Sequence, residues 1–306
     1  MSWGIPEPVE GYGVGMSLMG ILDRLADVTA FDKVIEPTRR VVQAAPQGVK
    51  DFLHGTWLGH PLHPVLVQVP VGSWLSAGLL DAVPPLRPAA TALIGTGVAA
   101  AVPASLAGAA DWSEQDIGVR RLGALHAAAN SAALGLYVGS LIARSAGRGT
   151  LGRVLSYAGL GVASGSAAIG GHMSYAQSSG ASHAVTAARA LTTDWIDLGP
   201  LDDLPEGRPA LRTGTSGSVA VPLAAVRRGA RVDVFVGTCS HLSGPLYDGA
   251  IEDVRGRTCL VCPLHGSAFD LADGSPRRGP AANRQEQLEV RMEAGRVMAR
   301  LPARHG

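Results

Sequence analysis

Residues 237–249 read GTCSHLSGPLYDG, and residues 262–276 read CPLHGSAFDLADGSP. The first stretch sets Cys239 and His241 as C-x-H, and the second sets Cys262 and His265 as C-x-x-H. Two loops thus offer two thiolates and two neutral imidazoles. A tetrahedral zinc ion accepts such a set. A [2Fe–2S] cluster accepts it too, with two cysteines on one iron and two histidines on the other. The spacing alone fits both.

Around these loops the chain alternates in short runs, at residues 219–226, 231–236, 257–261, 268–271, 287–292 and 296–300, separated by Gly, Asp and Pro. That rhythm predicts a small antiparallel β-domain over residues 191–306. A stretch rich in Pro, Gly and acids, residues 197–218, precedes the runs.

Upstream the character is different. Residues 61–80, 88–110, 122–143 and 154–188 contain no Asp, Glu, Lys or Arg. About 20 apolar residues suffice for a helix to cross the hydrocarbon core. The pattern predicts a four-span membrane domain over residues 59–190, with spans at about 61–81, 88–110, 122–143 and 154–173. Small residues recur there, including the G-x-x-x-G step Gly161 and Gly165, and small residues let helices approach closely in lipid. Charged residues make up only 17% of the chain, which agrees with a membrane portion. The expected fold class is multidomain: an all-α four-helix transmembrane bundle followed by a small all-β domain.

Residues 1–58 form an N-terminal amphipathic helical region. Leu22, Leu25, Val28 and Phe31 mark an apolar face with Asp23, Arg24, Asp27 and Asp32 between them. This face suits a membrane interface or the C-terminal domain. The opening MSWGIPEPVEGYG lacks the basic and then apolar pattern of an export signal, and no apolar run follows Arg39-Arg40 directly. Three cysteines in one short stretch make a poor disulfide framework and agree with a reducing compartment. A net charge of +1 excludes a large basic footprint, so no nucleic-acid partner is expected.

Four spans place several histidines on one side of the membrane. His60 and His63 open the first span, Asp111 and Trp112 follow the second, His126 lies early in the third with Asn130 one turn on, and His172 closes the fourth. The N-terminus and the β-domain share that side. His63 with His126 or His172 are candidate ligands of haem b or a metal, with His60 nearer the surface, and a quinone head group is another candidate occupant. The alternative is interfacial histidines that bond loops and hold the bundle together. Arg87, Arg144, Arg148 and Arg153 flank the far side, against Lys50, Arg39, Arg40, Arg120, Arg121 and Arg189 on the β-domain side. The positive-inside rule then gives a multi-pass cell-membrane protein with a cytoplasmic β-domain.

The motif GTCSHLSGPLYDG, the run CPLHGSAFDLADGSP and Gly279-Pro280-Ala281 resemble Rieske [2Fe–2S] domains over about residues 193–303. The resemblance implies that Cys239 and Cys262 bind the inner iron and that His241 and His265 bind the outer iron near the surface. It implies a hydrogen bond from Ser267 to the cluster and a covering proline loop at Pro280. Respiratory Rieske proteins carry an extra cysteine in each loop and a tyrosine hydroxyl; the matching positions here are Gly244, Leu264 and Phe269. Cys259 then has no partner and reads as a buried apolar side chain. Hydrogen bonds to sulfur favour the reduced cluster, so losing one implies a potential in the lower part of the range of roughly −150 to +300 mV. The G-H-P-L-H-P opening at residues 59–64, Asp111-Trp112 and Gly170-Gly171-His172 resemble a bacterial membrane family of unknown function over about residues 15–180.

These features imply a membrane-anchored electron-transfer protein. It would carry one electron from a soluble or membrane donor to a membrane redox partner, to quinone or to an oxygenase. No catalytic residue or mononuclear-iron site is evident, so the chain reads as a carrier or component rather than a stand-alone enzyme. The alternative is a redox-sensing or assembly module with the bundle as a plain anchor.

Overall fold

The computed structural model describes residues 18–216 and 219–302. The acid-, proline- and glycine-rich opening, read as lacking an export signal, lies outside the described residues. Helices α1 (Leu18–Ala26), α2 (Asp32–Gln43) and α3 (Gln47–His54) come first. α4 (His63–Leu66), α5 (Gln68–Asp81), α6 (Arg87–Ser113), α7 (Ile117–Ser145) and α8 (Gly149–Tyr175) follow, then the short α9 (Ala184–Arg189). The β-part contains β1 (Ile196–Pro200), β2 (Pro209–Ser216), β3 (Val219–Arg228), β4 (Arg231–Val236), β5 (Ala250–Val254), β6 (Arg257–Val261), β7 (Ala268–Asp270), β8 (Pro276–Arg278), β9 (Gln287–Glu293) and β10 (Arg296–Arg300).

Among the described residues, three helical segments are long and apolar enough to cross a membrane: Pro84–Ser113, Ile117–Ser145 and Gly149–Tyr175. At 1.5 Å per residue each runs for about 40 Å. Leu79, Val102, Leu106, Ile142 and Val154 point outward, where lipid would meet them. The first expected span is divided into α4 and α5 at Val67. Pro70 explains the break, because it has no N–H to return to the Leu66 carbonyl.

Close packing in the bundle comes from other glycines than Gly161 and Gly165, whose Cβ positions meet nothing within 4 Å. A Cβ on Gly97 would lie 2.2 Å from Trp74 Nε1, and one on Gly159 would lie 3.2 Å from the Tyr137 ring. These two glycines admit the Trp74–Tyr137 stack, with centroids 4.3 Å apart, to the centre of the bundle. At the far end Arg144 donates to both carboxylate oxygens of Asp81, and both side chains are buried. Arg144 is therefore neutralised and adds no free positive charge to the far side.

α1 packs on α7 and α8 through Leu22, Leu122, Ile169 and Met173. Arg121 grips Asp32 with two bonds, of 2.8 and 2.7 Å. The apolar face of α1 therefore packs on the bundle rather than on a membrane interface or the C-terminal domain, and it is α3 that reaches the β-domain, through Asp51.

The β-domain has a six-stranded sheet ordered β1-β10-β9-β4-β3-β2 and a four-stranded sheet ordered β5-β6-β7-β8. Leu223, Val234, Val236 and Val297 fill one apolar cluster, which Ala184 and Ala188 of α9 join. Phe235, Leu246, Leu260, Phe269 and Leu271 fill a second, together with Cys239 and Cys262. β4, β6 and β10 match the alternating runs residue for residue. β1 and β2, inside or beside the stretch read only as rich in Pro and Gly, are the two edge strands of the larger sheet. Edge positions tolerate Pro200 and Pro209, which hides them from an alternation reading.

Candidate metal centre

Three loops meet at one end of the four-stranded sheet. The first leaves β4 and closes on itself: Cys239 N–H donates to Gly244 O at 2.8 Å, and Ser243 N–H donates to Cys239 O at 3.1 Å. Gln285 braces it from beneath, accepting from Ser240 N–H at 2.9 Å and donating to the Val236 and Thr238 carbonyls at 2.8 Å each. The second loop joins β6 to β7, with Cys262 N–H on Ser267 O at 2.9 Å and Gly266 N–H on Cys262 O at 3.1 Å. Gly266 takes φ of +71°, a conformation that glycine adopts without strain. The third loop, residues 279–283, brings Ala281 against the cysteines.

The donors stand as two pairs. Cys239 and Cys262 are buried and hydrogen-bonded thiol to thiol, and neither forms a disulfide. The Cys239 contact first, and then the backbone N–H groups of Leu264 and His265, hold the Cys262 thiol low, at about 6. Cys239 is pushed up by Cys262 and by burial, while His241 and Leu242 N–H groups favour its thiolate. Thiolate is the form that binds iron. The imidazoles of His241 and His265 meet edge to face with centroids 5.0 Å apart. Burial holds His241 down to about 3, with further lowering by His265, His54 and His183, so its ring is neutral. Its Nδ1 is buried without a hydrogen-bond partner. A thiol pair, an imidazole pair and an unsatisfied ring nitrogen fit a group with two thiolates on one iron and two imidazoles on the other.

The flanking positions agree with that fit. A Cβ on Gly244 would lie 2.6 Å from Cys262 Sγ, so the backbone itself packs where respiratory relatives carry a cysteine. Ser267 is buried, and its Oγ accepts from Ala281 N–H at 3.0 Å. That bond uses an oxygen lone pair and leaves the hydroxyl proton free to be donated. Phe269 is buried in the apolar cluster of both cysteines and brings no hydroxyl. Cys259 lies buried on β6, donates to Arg257 O at 3.4 Å, and has its thiol pushed up to about 11 by burial.

The bundle histidines are hydrogen-bonded within the helical part. His63 Nδ1 bonds Ala104 O at 2.8 Å. His126 bonds Ser166 O through Nδ1 at 2.8 Å, and Asn130 donates to its Nε2 at 3.0 Å. His172 Nε2 meets Asp23 at 2.9 Å, and exposed His60 bonds the neighbouring Pro61 carbonyl. One nitrogen of each ring thus has a protein partner, and haem b and quinone find no support.

Sequence reasoning missed three of four residues that meet at this end of the molecule. Asp51, His54 and Arg255 meet the loop at Gly279 or the hairpin beside it, and Asp111 bonds His54 Nδ1 at 2.8 Å. Only Asp111 had been marked, as part of the Asp111-Trp112 pair. Asp51 and His54 sit in an amphipathic helix where a charged face is ordinary, so no local signal separates them.

A family model described as Rieske [2Fe-2S] domain matches residues 194–291, and one described as Predicted membrane protein (DUF2231) matches residues 59–189. Among curated proteins, the anthranilate 1,2-dioxygenase ferredoxin subunit of Burkholderia cepacia is 30% identical over 108 residues, or 35% of this chain and 93% of that protein. The ferredoxin component of the naphthalene 1,2-dioxygenase system of Pseudomonas aeruginosa is 30% identical over 35% of this chain and 96% of its own length. The ferredoxin component of the Ralstonia sp naphthalene 1,2-dioxygenase/salicylate 5-hydroxylase systems is 29% identical over 36% of this chain and 99% of its own.

Proposed function

Since the chain belongs, through its C-terminal part, to the Rieske [2Fe–2S] domain family, we propose that it is a one-electron carrier anchored in the cell membrane by its helical domain. The observation that carries this reading is that the same two loops bring together one pair of buried thiols and one edge-to-face pair of imidazoles. Cys239 and Cys262 would hold the inner iron, and His241 and His265 the outer one. A [2Fe–2S] group bound there supplies a site that gains and loses one electron. The chain's own residues do the rest. Backbone N–H groups favour both thiolates, Ser267 offers its hydroxyl proton, and the loop at Pro280 shields the inner side. His241 lies near His54 and His183 of the helical part. Leu264, 57% exposed beside His265, offers an apolar contact for a soluble partner.

The three ferredoxins above are named as parts of oxygenase systems, which supports a donor or acceptor of that class. The membrane domain supports an acceptor held at the bilayer. A cytoplasmic β-domain is supported by the count of basic residues, with Arg39, Arg40, Lys50, Arg120, Arg121 and Arg189 on its side against Arg87, Arg144, Arg148 and Arg153 on the other. The redox-sensing reading draws support from one feature, the bond between Asp51 and the covering loop.

Absorption and EPR spectroscopy of the purified full chain test the assignment. The reduced protein is expected to give the signal of mixed Cys/His ligation. Cys239→Ser and His265→Ala are each expected to abolish it, and an intact cluster in both variants would refute the ligand set.

A further inference from the structure

Asp51 is buried, 2% exposed, on helix α3. Its Oδ1 accepts from Gln47 Nε2 at 2.8 Å and from the buried Gly279 N–H at 2.8 Å. Its Oδ2 accepts from Arg255 Nη2 at 2.5 Å, in the turn between β5 and β6. One turn further along α3, the His54 ring lies so close to Gly279 that a Cβ there would be 2.9 Å from its Cδ2. His54 Nδ1 in turn meets Asp111 at the end of α6. On the other side of Gly279, Ala281 packs with Cys239 and Cys262 and donates to Ser267 Oγ. A continuous route of contacts therefore runs from the membrane bundle to the wall of the metal centre.

Helix–surface contacts are common, but this one bears on redox chemistry for two reasons. Without Asp51 the buried Gly279 amide would lose its acceptor, and an unsatisfied buried amide is costly. A buried carboxylate beside the covering loop also acts on a group that becomes more negative when reduced, and Arg255 partly offsets that charge. We propose that Asp51 is a positioning residue for the metal centre: it fixes the covering loop from the helical domain and, with Arg255, sets the reduction potential.

This proposal rests on the cluster assignment, and the experiment separates the two. Full-length protein in detergent is titrated with EPR detection as wild type, Asp51→Asn, Asp51→Ala and Arg255→Ala. A wild type without the mixed-ligand signal would overturn the cluster assignment itself. With that signal present, Asp51→Asn removes the negative charge and is expected to favour reduction by threefold to tenfold, up to about 59 mV for one electron. Arg255→Ala removes the offsetting charge and is expected to move the midpoint in the opposite direction. Asp51→Ala is expected to speed cluster loss to a chelator several-fold, and Arg255→Ala to leave that rate within twofold. Arg255 is a surface side chain, 59% exposed, so its variant keeps the test open should Asp51 variants misfold. Midpoints within twofold of wild type, or shifts of one sign in both charge variants, would overturn the proposal.

Discussion

Replacing Ser267 by alanine separates loop support from tuning of the metal centre. The Ser267 side chain is buried and its oxygen accepts from Ala281 N–H at 3.0 Å. The hydroxyl has one proton and two lone pairs, so this contact leaves the proton available to the cluster. A hydrogen bond to a charged group contributes about 1.5–3 kcal/mol. Only the difference between oxidised and reduced states enters the potential. If about half of the upper figure is differential, reduction is disfavoured by roughly 1.4 kcal/mol, which is about tenfold and about 59 mV for one electron. The alanine also strands the Ala281 amide in a buried site, at a cost of about 1–3 kcal/mol. EPR-monitored titration of the full chain should therefore show a midpoint lowered by about 59 mV, and thermal denaturation should show a drop of several degrees. An unchanged or raised midpoint, with cluster retained and stability reduced, would refute the hydrogen bond to the cluster and leave Ser267 as loop support alone.

Phe269→Tyr restores a hydroxyl in the apolar cluster that holds both cysteines, and its EPR-detected midpoint should rise by tens of mV, about 1 kcal/mol in free energy. Arg144→Leu leaves Asp81 buried without its partner and should destabilise the helical domain by about 3–5 kcal/mol, read as loss of detergent thermal stability with the cluster signal unchanged. A reporter active only in the periplasm, fused to the C-terminus, should be silent, and activity from it would overturn the cytoplasmic placement of the β-domain.

The ligand loops were legible because their chemistry is local. Cys239 and His241 lie within one turn of chain, as do Cys262 and His265, and the strands that launch them, β4 and β6, are short apolar-rich runs bounded by turn residues. The long helices were legible for a similar reason, since an uncharged run of sufficient length records its solvent directly. The edge strands β1 and β2 were not, because Pro200, Pro209 and their glycines erase the period that pairing on one side still permits. Glycine spacing misled for a further reason. Gly161 and Gly165 satisfy a motif yet face open space, while Gly97 and Gly159 satisfy none and admit Trp74 and Tyr137.

Asp51 shows where such reading stops in physical terms. Its partners are a guanidinium more than two hundred residues away and a main-chain N–H that any non-proline residue would present. A bond to backbone leaves no complementary residue type to find, and one Asp beside Lys50 in a short amphipathic helix reads as an ordinary solvated charge. The same holds for His54, whose ring packs on a glycine and pairs with Asp111 across the sequence. Periodicity reports which face of an element is apolar; it does not report which polar group on the other face has been taken out of water. Here that burial joins the domain embedded in the membrane to the domain that carries the metal donors. The joint is made from α3, which lies outside the residue ranges that match either family model.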